Sequence, residues 1–210
     1  MTPLRLTCVA AAAALLAACG GSDDSVRGEL IDPPTVLTTL TVAQIDAATA
    51  ASGLQALSGK AKCDVKVVAL NYRTPGVKEG EMSNASGVML VPGGMCSSAA
   101  PLVANARGTE VLKTRTLANP QDGETFLLAA MYAAQGYAVV ATDYLGYAKS
   151  TYAFHPYLHA DSQATTVIDS VRAARNAADA SQHASGASEQ ADDGRQVVEK
   201  TILAMSELSP

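Results

Sequence analysis

Apolar and polar residues alternate in two segments near the middle of the chain. Residues 63–73 and 83–92 are both rich in β-branched side chains, and the turn-rich segment 74–81 separates them. Alternation with period two predicts strands, and the short connection predicts that they form an antiparallel hairpin. A further short apolar run at 101–106 predicts a third strand.

The pattern then changes to a helical spacing. Residues 124–135 place their apolar side chains on one face, and Gly136 stands where a helix C-cap belongs. The segment 137–144 follows at once. It is a continuous apolar run with Asp143 near its end, as is typical of a strand buried in a parallel sheet. Helix followed by buried strand is half of a βαβ unit, and helical spacing over 160–180 predicts another helix.

The remaining segments set the predicted domain boundaries. Residues 41–57 predict one or two short helices with Thr41 as the N-cap. Residues 181–210 contain few apolar positions without a clear period, so we interpret them as an atypical C-terminal tail. The domain is therefore expected over 41–180, preceded by a tether and N-terminal extension at 19–40.

The N-terminus has the pattern of an export leader. Arg5 precedes the apolar run 6–18, which is too short to span a bilayer but fits the core of a signal peptide, predicted here as residues 1–18. The sequence around Cys19 resembles a bacterial lipobox, which implies acylation of Cys19, with 20–25 as a polar tether. The alternative is an ordinary secretory signal. We expect an exported, membrane-anchored lipoprotein of the periplasm or cell surface, or a secreted protein.

Export also determines how the four cysteines are interpreted. Cys8 would leave with the leader and Cys19 would be acylated, so Cys63 and Cys96 remain. In an oxidising compartment this pair predicts a disulfide, and two buried free thiols are the alternative. Two cysteines without a nearby histidine are too few for a zinc site.

Composition narrows the class of protein. The 210 residues are 48% hydrophobic and 17% charged, with a net charge of −5. This is too apolar for a disordered chain. The acidic balance without a basic cluster argues against a nucleic-acid partner. We expect no metal and no cofactor.

Several motifs in one order resemble a known family. They are found at 87–92, 107–109, 136–147, 155–157 and 167–175. Together they resemble exported bacterial lipases and esterases of the α/β-hydrolase superfamily, related to secretory lipases, over about residues 60–176. The resemblance implies an α/β fold class: the N-terminal portion of an α/β-hydrolase, with an antiparallel hairpin leading into a mostly parallel sheet with flanking helices.

The resemblance also implies a site and a substrate class. Backbone N–H groups of Gly108 and Thr109 match the family's oxyanion hole, and the substrate would be a small ester or a lipid. The family usually has His-Gly-Thr where this chain has Arg107 before the same two residues. The alternative for Gly108 is a simple turn glycine.

Other polar residues near these motifs are interpreted as structural. Asp143 precedes any possible nucleophile, whereas the acid of the family's triad follows it. His155 and His159 would line the site entrance or form local hydrogen bonds. Four tyrosines of the same loop could form an apolar wall or pack the loop; they are Tyr144, Tyr147, Tyr152 and Tyr157.

No catalytic residue can be identified in the sequence. Acyl transfer in this fold needs Gly-x-Ser-x-Gly, and no serine here has glycine at both −2 and +2. A later Asp or Glu and a late His are also missing. We therefore expect a truncated hydrolase that is inactive as given, with truncation, frameshift and pseudogene all open. The alternatives are a non-catalytic surface lipoprotein on a degenerate hydrolase scaffold and a peptidase of the same fold.

Overall fold

The structure is a computed structural model that describes residues 26–96 and 99–207. Side-chain environments are described up to residue 192 and at Arg195 and Gln196. The predicted leader, the acylation site Cys19 and the tether 20–25 lie outside the described residues.

Five strands form one mixed sheet in the order β1-β2-β3-β5-β4. Their bounds are β1 Thr35–Leu40, β2 Asp64–Pro75, β3 Met82–Gly93, β4 Leu102–Asn105 and β5 Ala138–Thr142. β2 and β3 pair antiparallel from Asp64↔Gly93 to Pro75↔Met82, which confirms the predicted hairpin. The α/β fold class predicted from the sequence is confirmed, but the described sheet is mixed rather than mostly parallel, since only β4 and β5 pair in parallel.

β5 lies between β3 and β4 and is the buried centre of this half of the sheet. It pairs antiparallel with β3 and parallel with β4, and all five of its residues are buried. The chain reaches it through a helix and a 3-10 turn, and Gly136 ends that turn with φ +101°. The predicted glycine cap and the predicted buried strand are both confirmed.

Helices cover the two faces of the sheet. Their bounds are α1 Val42–Ser52, α2 Gln55–Ser58, α3 Gly123–Met131 and α4 Ala160–Glu207, with 3-10 turns at Gly94–Cys96 and Ala133–Gln135. Thr41 caps α1 through a capping box with Gln44, as a threonine before an apolar run predicts.

The core consists of two clusters, one on each face of the sheet. On one face α1 and α3 bury Ile45 and Leu128 against β2 and β3. On the other face α4 packs Ala173, Ala174 and Ala177 against the sheet. Small alanines allow α4 to approach closely. Tyr72 is fully buried beneath α4, with its hydroxyl 2.6 Å from Thr142 Oγ1.

The predicted disulfide between Cys63 and Cys96 is confirmed. The two Cα atoms are 5.5 Å apart, and 33 positions separate the residues in the chain. The bond joins the residue before β2 to the 3-10 turn after β3, so it closes the open end of the hairpin.

Two segments differ from the sequence analysis. Residues 35–40, assigned there to an extension, form the edge strand β1, whose side chains are mostly exposed. An edge strand with little burial needs no apolar alternation, and its threonines favour the strand through β-branching. The helix predicted over 160–180 continues to Glu207 through the segment expected to be a tail. All residues from 179 to 192 are exposed, so this part of the helix has no apolar face that its sequence pattern could have predicted.

Candidate functional site

The carboxyl ends of the parallel strands β4 and β5 meet at one edge of the sheet. Loop 106–122 follows β4 and loop 143–159 follows β5, and we call this region the carboxyl edge. Ligands of open α/β sheets bind outside the carboxyl ends of the strands, so the carboxyl edge is the candidate site.

Gly108 and Thr109 lie exposed at the start of the first loop. Among the described residues, no protein atom accepts a hydrogen bond from either backbone N–H. A Cβ added at Gly108 would meet nothing within 4 Å, and the φ of Gly108 lies outside the left-handed region. The turn itself therefore does not require glycine here. Because the N–H groups of Gly108 and Thr109 have no acceptor among the described residues, both are available to a ligand.

The side chain of Arg107 turns away from these N–H groups into the protein. Only 1% of it is exposed, and its Nη2 lies 3.0 Å from Glu110 Oε2. Nη1 is 3.9 Å from Asp143 Oδ1, while Nε and Nη1 have no hydrogen-bond partner within the described part of the chain. Arg107 therefore places a buried cation beneath the loop and leaves the space around Gly108 open.

Glu110 organises the loop that carries Gly108 and Thr109. Its Oε1 accepts hydrogen bonds from the backbone N–H groups of Val111 (2.6 Å) and Leu112 (2.8 Å). Its Oε2 accepts a hydrogen bond from Arg115 at 2.6 Å. These donors, first of all the Leu112 N–H, lower the pKa of Glu110 to about 2.

Arg115 extends this network to the start of α3. Its guanidinium donates to Asp122, whose Oδ1 in turn accepts from the backbone N–H groups of Glu124 and Thr125. The N-cap of α3 is thus tied to the candidate oxyanion loop. Sequence reasoning missed Glu110 and Arg115, because the only signal was an acid and a base five residues apart in an irregular segment.

Asp143 is a buried structural carboxylate, as the sequence analysis proposed. It accepts hydrogen bonds from Ser86 Oγ (2.8 Å), Thr116 Oγ1 (2.8 Å) and the Leu117 backbone N–H (2.7 Å). Burial raises its pKa, and these hydrogen bonds oppose that rise. The residue joins the end of β5 to β3 and to the loop after β4.

His155 and three tyrosines of the loop after β5 form one aromatic group. His155 lies between Tyr147 and Tyr157, with each ring centroid 4.7 Å away, and its Nδ1 is 2.8 Å from the Leu145 carbonyl. Tyr147 and Tyr157 both donate to the Glu110 carbonyl. The hydroxyl of Tyr144 donates to the carbonyl of Arg107 at 3.2 Å.

The other aromatic and histidine candidates also make local contacts. Tyr152 donates to Glu81 Oε2 at 3.1 Å, beside the turn of the hairpin. His159 accepts a hydrogen bond from the Ser162 N–H through its Nδ1 at the start of α4. Loop packing, one of the two interpretations given for the tyrosines, is what the structure shows.

A cleft of about 390 Å³ opens on the sheet face that α1 and α3 cover. Side chains from β1, β3 and both loops line it; they include Leu37, Ser86, Thr116, Ala118 and Lys149. Gly108 and Thr109 are not among the lining residues, so this cleft is separate from the exposed N–H groups.

The described serines show no sign of activation. Ser86 Oγ donates to Asp143, and Ser150 Oγ donates to the Asn84 carbonyl at 2.6 Å. No serine hydroxyl of residues 26–96 or 99–192 donates to a histidine ring. Over the described residues, no cluster of three potential metal ligands occurs either. No described helix combines the length and hydropathy needed to cross a bilayer.

Comparison with solved structures shows that the fold of this chain is similar to that of an esterase. The ligand-bound form of the rice cell wall degrading esterase LipA from Xanthomonas oryzae matches with a TM-score of 0.64 and 42% sequence identity. The match covers 71% of this chain and 38% of the LipA chain. Another LipA crystal structure matches at 43% identity with a TM-score of 0.63.

A more distant structure supports the fold alone. A putative hydrolase from Legionella pneumophila matches with a TM-score of 0.64 at 23% identity, over 73% of this chain and 40% of that one. No protein-family model matches the chain, and no curated protein matches it significantly. The present chain therefore spans about two fifths of the length of the structures that it resembles.

Proposed function

We propose that this chain, whose α/β-hydrolase-like fold covers about two fifths of the length of its structural neighbours, belongs to an exported carboxylic-ester hydrolase. The observation that carries the proposal is the 42% identity to the esterase LipA over 71% of this chain. The substrate class is a small carboxylic ester or a lipid ester.

Gly108 and Thr109 are the proposed oxyanion hole. Two adjacent backbone N–H groups that have no acceptor in the described structure can stabilise the charge that develops on an ester carbonyl oxygen. Glu110 and Arg115 form hydrogen bonds within the same loop, so the N–H donors of Gly108 and Thr109 are positioned before a substrate binds. This arrangement supports stabilisation of the oxyanion that forms in acyl transfer.

Export and acylation of Cys19 are the second part of the proposal. The supporting observations are the leader-like sequence of residues 1–18, the lipobox-like sequence at Cys19 and the disulfide between Cys63 and Cys96. A structural disulfide is expected in an oxidising compartment rather than in the cytosol.

The chain of 210 residues by itself is proposed to lack esterase activity. No serine in it has the glycines of a nucleophile elbow, and the described serines have no histidine base. An oxyanion hole can stabilise a tetrahedral intermediate only after a nucleophile has attacked.

A p-nitrophenyl ester assay on the purified chain tests this proposal. We expect no turnover above buffer and no labelling by a fluorophosphonate probe, with circular dichroism confirming that the sample is folded. Turnover that the probe abolishes would show that the chain contains a nucleophile, and Ser→Ala variants would locate it.

The second candidate function is a non-catalytic surface lipoprotein on the same scaffold. It is favoured by two features of a stably folded domain. Asp143 accepts three hydrogen bonds, and a buried core cluster lies on each face of the sheet. A folded product that accumulates in the cell envelope without esterase activity is expected on this alternative, whereas rapid degradation of the product would argue against it.

A further inference from the structure

The first described residues are fixed to the body of the domain. The Gly28 N–H donates to the Arg73 carbonyl at 2.8 Å, and the Arg73 N–H donates to the Glu29 carbonyl at 2.9 Å. The Ile31 N–H donates to the Asn71 carbonyl at 2.9 Å. Residues 28–31 thus run along the end of β2 as an additional short pairing.

Helix α4 holds the same segment from the other side. Arg27 pairs with the buried Asp169 at 3.2 Å, and Asn176 donates to the Gly28 carbonyl at 2.9 Å. Gly28 has φ +75°, and a Cβ added there would lie 2.3 Å from the Cβ of Arg172. The point from which the preceding chain leaves the domain is therefore fixed.

This point lies at the same end of the sheet as the carboxyl edge. Arg73 pairs with Asn84 across the hairpin, whereas the last residue of β5 pairs with Gly87. Asn84 Oδ1 accepts the Thr151 N–H at 2.8 Å, so the loop after β5 contacts the same row of the sheet. Adjacent strands are about 4.8 Å apart, which places the two features within a few strand spacings of each other.

The tether restricts how far this end can move from an acylated N-terminus. Cys19 and Arg27 are eight positions apart, and an extended chain of that length reaches about 28 Å at most. An acyl chain on Cys19 would therefore hold Arg27 within about 28 Å of the bilayer surface, a distance that allows the carboxyl edge to reach the lipid.

The carboxyl edge also exposes a group of large apolar side chains, which we call the apolar patch. Its members are Val111, Leu112, Phe154, Tyr157 and Leu158, and Leu158 is 97% exposed. The Tyr157 hydroxyl donates to the Glu110 carbonyl at 2.7 Å, and Lys113 Nζ donates to the Ala153 carbonyl at 2.9 Å. These bonds join the two loops, so the apolar side chains belong to one connected surface.

The charge of this surface suits a lipid bilayer. Residues 144–160 contain Lys149 and no carboxylate. The other loop adds Lys113 beside the patch, and its carboxylates at Glu110 and Asp122 are paired with Arg115. Exposed apolar side chains next to cations are the composition that binds the boundary between headgroups and acyl chains.

We propose that the apolar patch inserts into the lipid surface to which Cys19 is tethered, so that the carboxyl edge faces the membrane. The orientation rests on the proposed acylation of Cys19, whereas the affinity of the patch for lipid does not. Contact with the bilayer would bring the exposed N–H groups of Gly108 and Thr109 close to the lipid.

A tryptophan probe tests the insertion directly, because the chain contains no tryptophan. Leu158→Trp places the probe in the apolar patch, and Leu57→Trp is the matched control on α2, where Leu57 is 78% exposed. Both positions are on the surface, so both variants should fold. The acylated full chain is reconstituted into phosphatidylethanolamine and phosphatidylglycerol vesicles with and without brominated acyl chains.

The proposal expects a blue shift and strong bromolipid quenching for Leu158→Trp, with neither for Leu57→Trp. Equal quenching at the two positions, or none at either, would overturn it. A blue shift of Leu158→Trp that depends on protein concentration without vesicles would assign the patch to a second copy and would also overturn it.

A separate measurement keeps the two proposals distinguishable. Incorporation of labelled palmitate, compared between the wild-type chain and Cys19→Ser, reports acylation alone. If no label is incorporated, the anchor is wrong, and the unacylated Leu158→Trp chain mixed with excess vesicles still tests the patch by the same shift and quenching.

Discussion

Glu110 connects several parts of the carboxyl edge through its hydrogen bonds and ion pairs, although no sequence motif singles it out. Its carboxylate accepts two backbone N–H groups and pairs with Arg107 and Arg115, and its carbonyl accepts two tyrosine hydroxyls. The loop that presents Gly108 and Thr109 therefore depends on one ionised side chain.

The ionisation of Glu110 makes stability depend on pH in the acid range. Its folded-state pKa is about 2, below the ordinary value of 4.5, so its contribution is present above about pH 4.5 and is lost as pH falls toward 2. We expect Glu110→Gln to lower the free energy of unfolding at pH 7 and to flatten its dependence between pH 5 and 2.

Urea unfolding followed by circular dichroism at several pH values measures this effect. Glu79→Gln, on the exposed hairpin turn, is the matched control and should leave the pH dependence unchanged. An unaltered pH profile in Glu110→Gln would contradict the role assigned to the carboxylate.

At the residue scale, the sequence predicted those features that depend on residues close together in the chain, such as helix caps. The cap at Thr41 and the glycine at Gly136 follow from local backbone needs, and both are confirmed. The inward turn of Arg107 toward Asp143 could not be predicted, because those two residues are 36 positions apart and meet only through the sheet.

At the scale of elements, the disulfide closes the hairpin of β2 and β3 at its open end. Linking Cys63 to Cys96 restricts the unfolded chain, which in the chain-entropy model stabilises the fold by about 3–4 kcal/mol. We expect the double variant Cys63→Ala and Cys96→Ala to have a free energy of unfolding lower by about that amount, measured as a lower denaturant midpoint in urea unfolding.

The wild-type chain in reducing agent provides the matched comparison, since it breaks the same bond without removing side chains. Both samples should lose similar stability. A double variant as stable as the oxidised wild-type chain would show that the hairpin is held by its twelve-residue strand pairing alone.

Element prediction succeeded where burial imposes a period and failed where it does not. β2, β3 and β5 have buried faces and were predicted from their apolar patterns. β1 and the second half of α4 bury little, so they leave no apolar period in the sequence to detect.

At the scale of the molecule, α4 divides into two parts. Residues up to Ala177 pack against the sheet, whereas all residues from 179 to 192 are exposed. An unpacked helix opens locally at low free-energy cost. We therefore expect a glutamate-specific protease to cleave after Glu189 before it cleaves after Glu124 in α3.

Mass spectrometry of a digestion time course gives the order of the cuts after Glu189 and Glu124, and circular dichroism checks that the product keeps its strands. Earlier cleavage at Glu124 would show that the far part of α4 is packed more firmly than its exposure indicates.

The architecture as a whole was predictable because the family-like motifs occur in one order along the chain. The sequence pattern of a strand, a helix and a buried strand predicts that β4 and β5 run parallel, as they do. The position of the carboxyl edge follows from that pairing. The apolar patch was not predictable, since its side chains come from two loops that the fold brings together.

The strand order has a consequence for synthesis, which proceeds from the N-terminus. β2 and β3 can pair as soon as residue 93 has been made, but β5, the neighbour of β3 on its other side, is complete only at residue 142. During that interval the inner edge of β3 offers unpaired backbone groups. The growing chain is therefore most vulnerable to intermolecular strand pairing before its own central strand exists, and a slow step between residues 93 and 142 would lengthen that window.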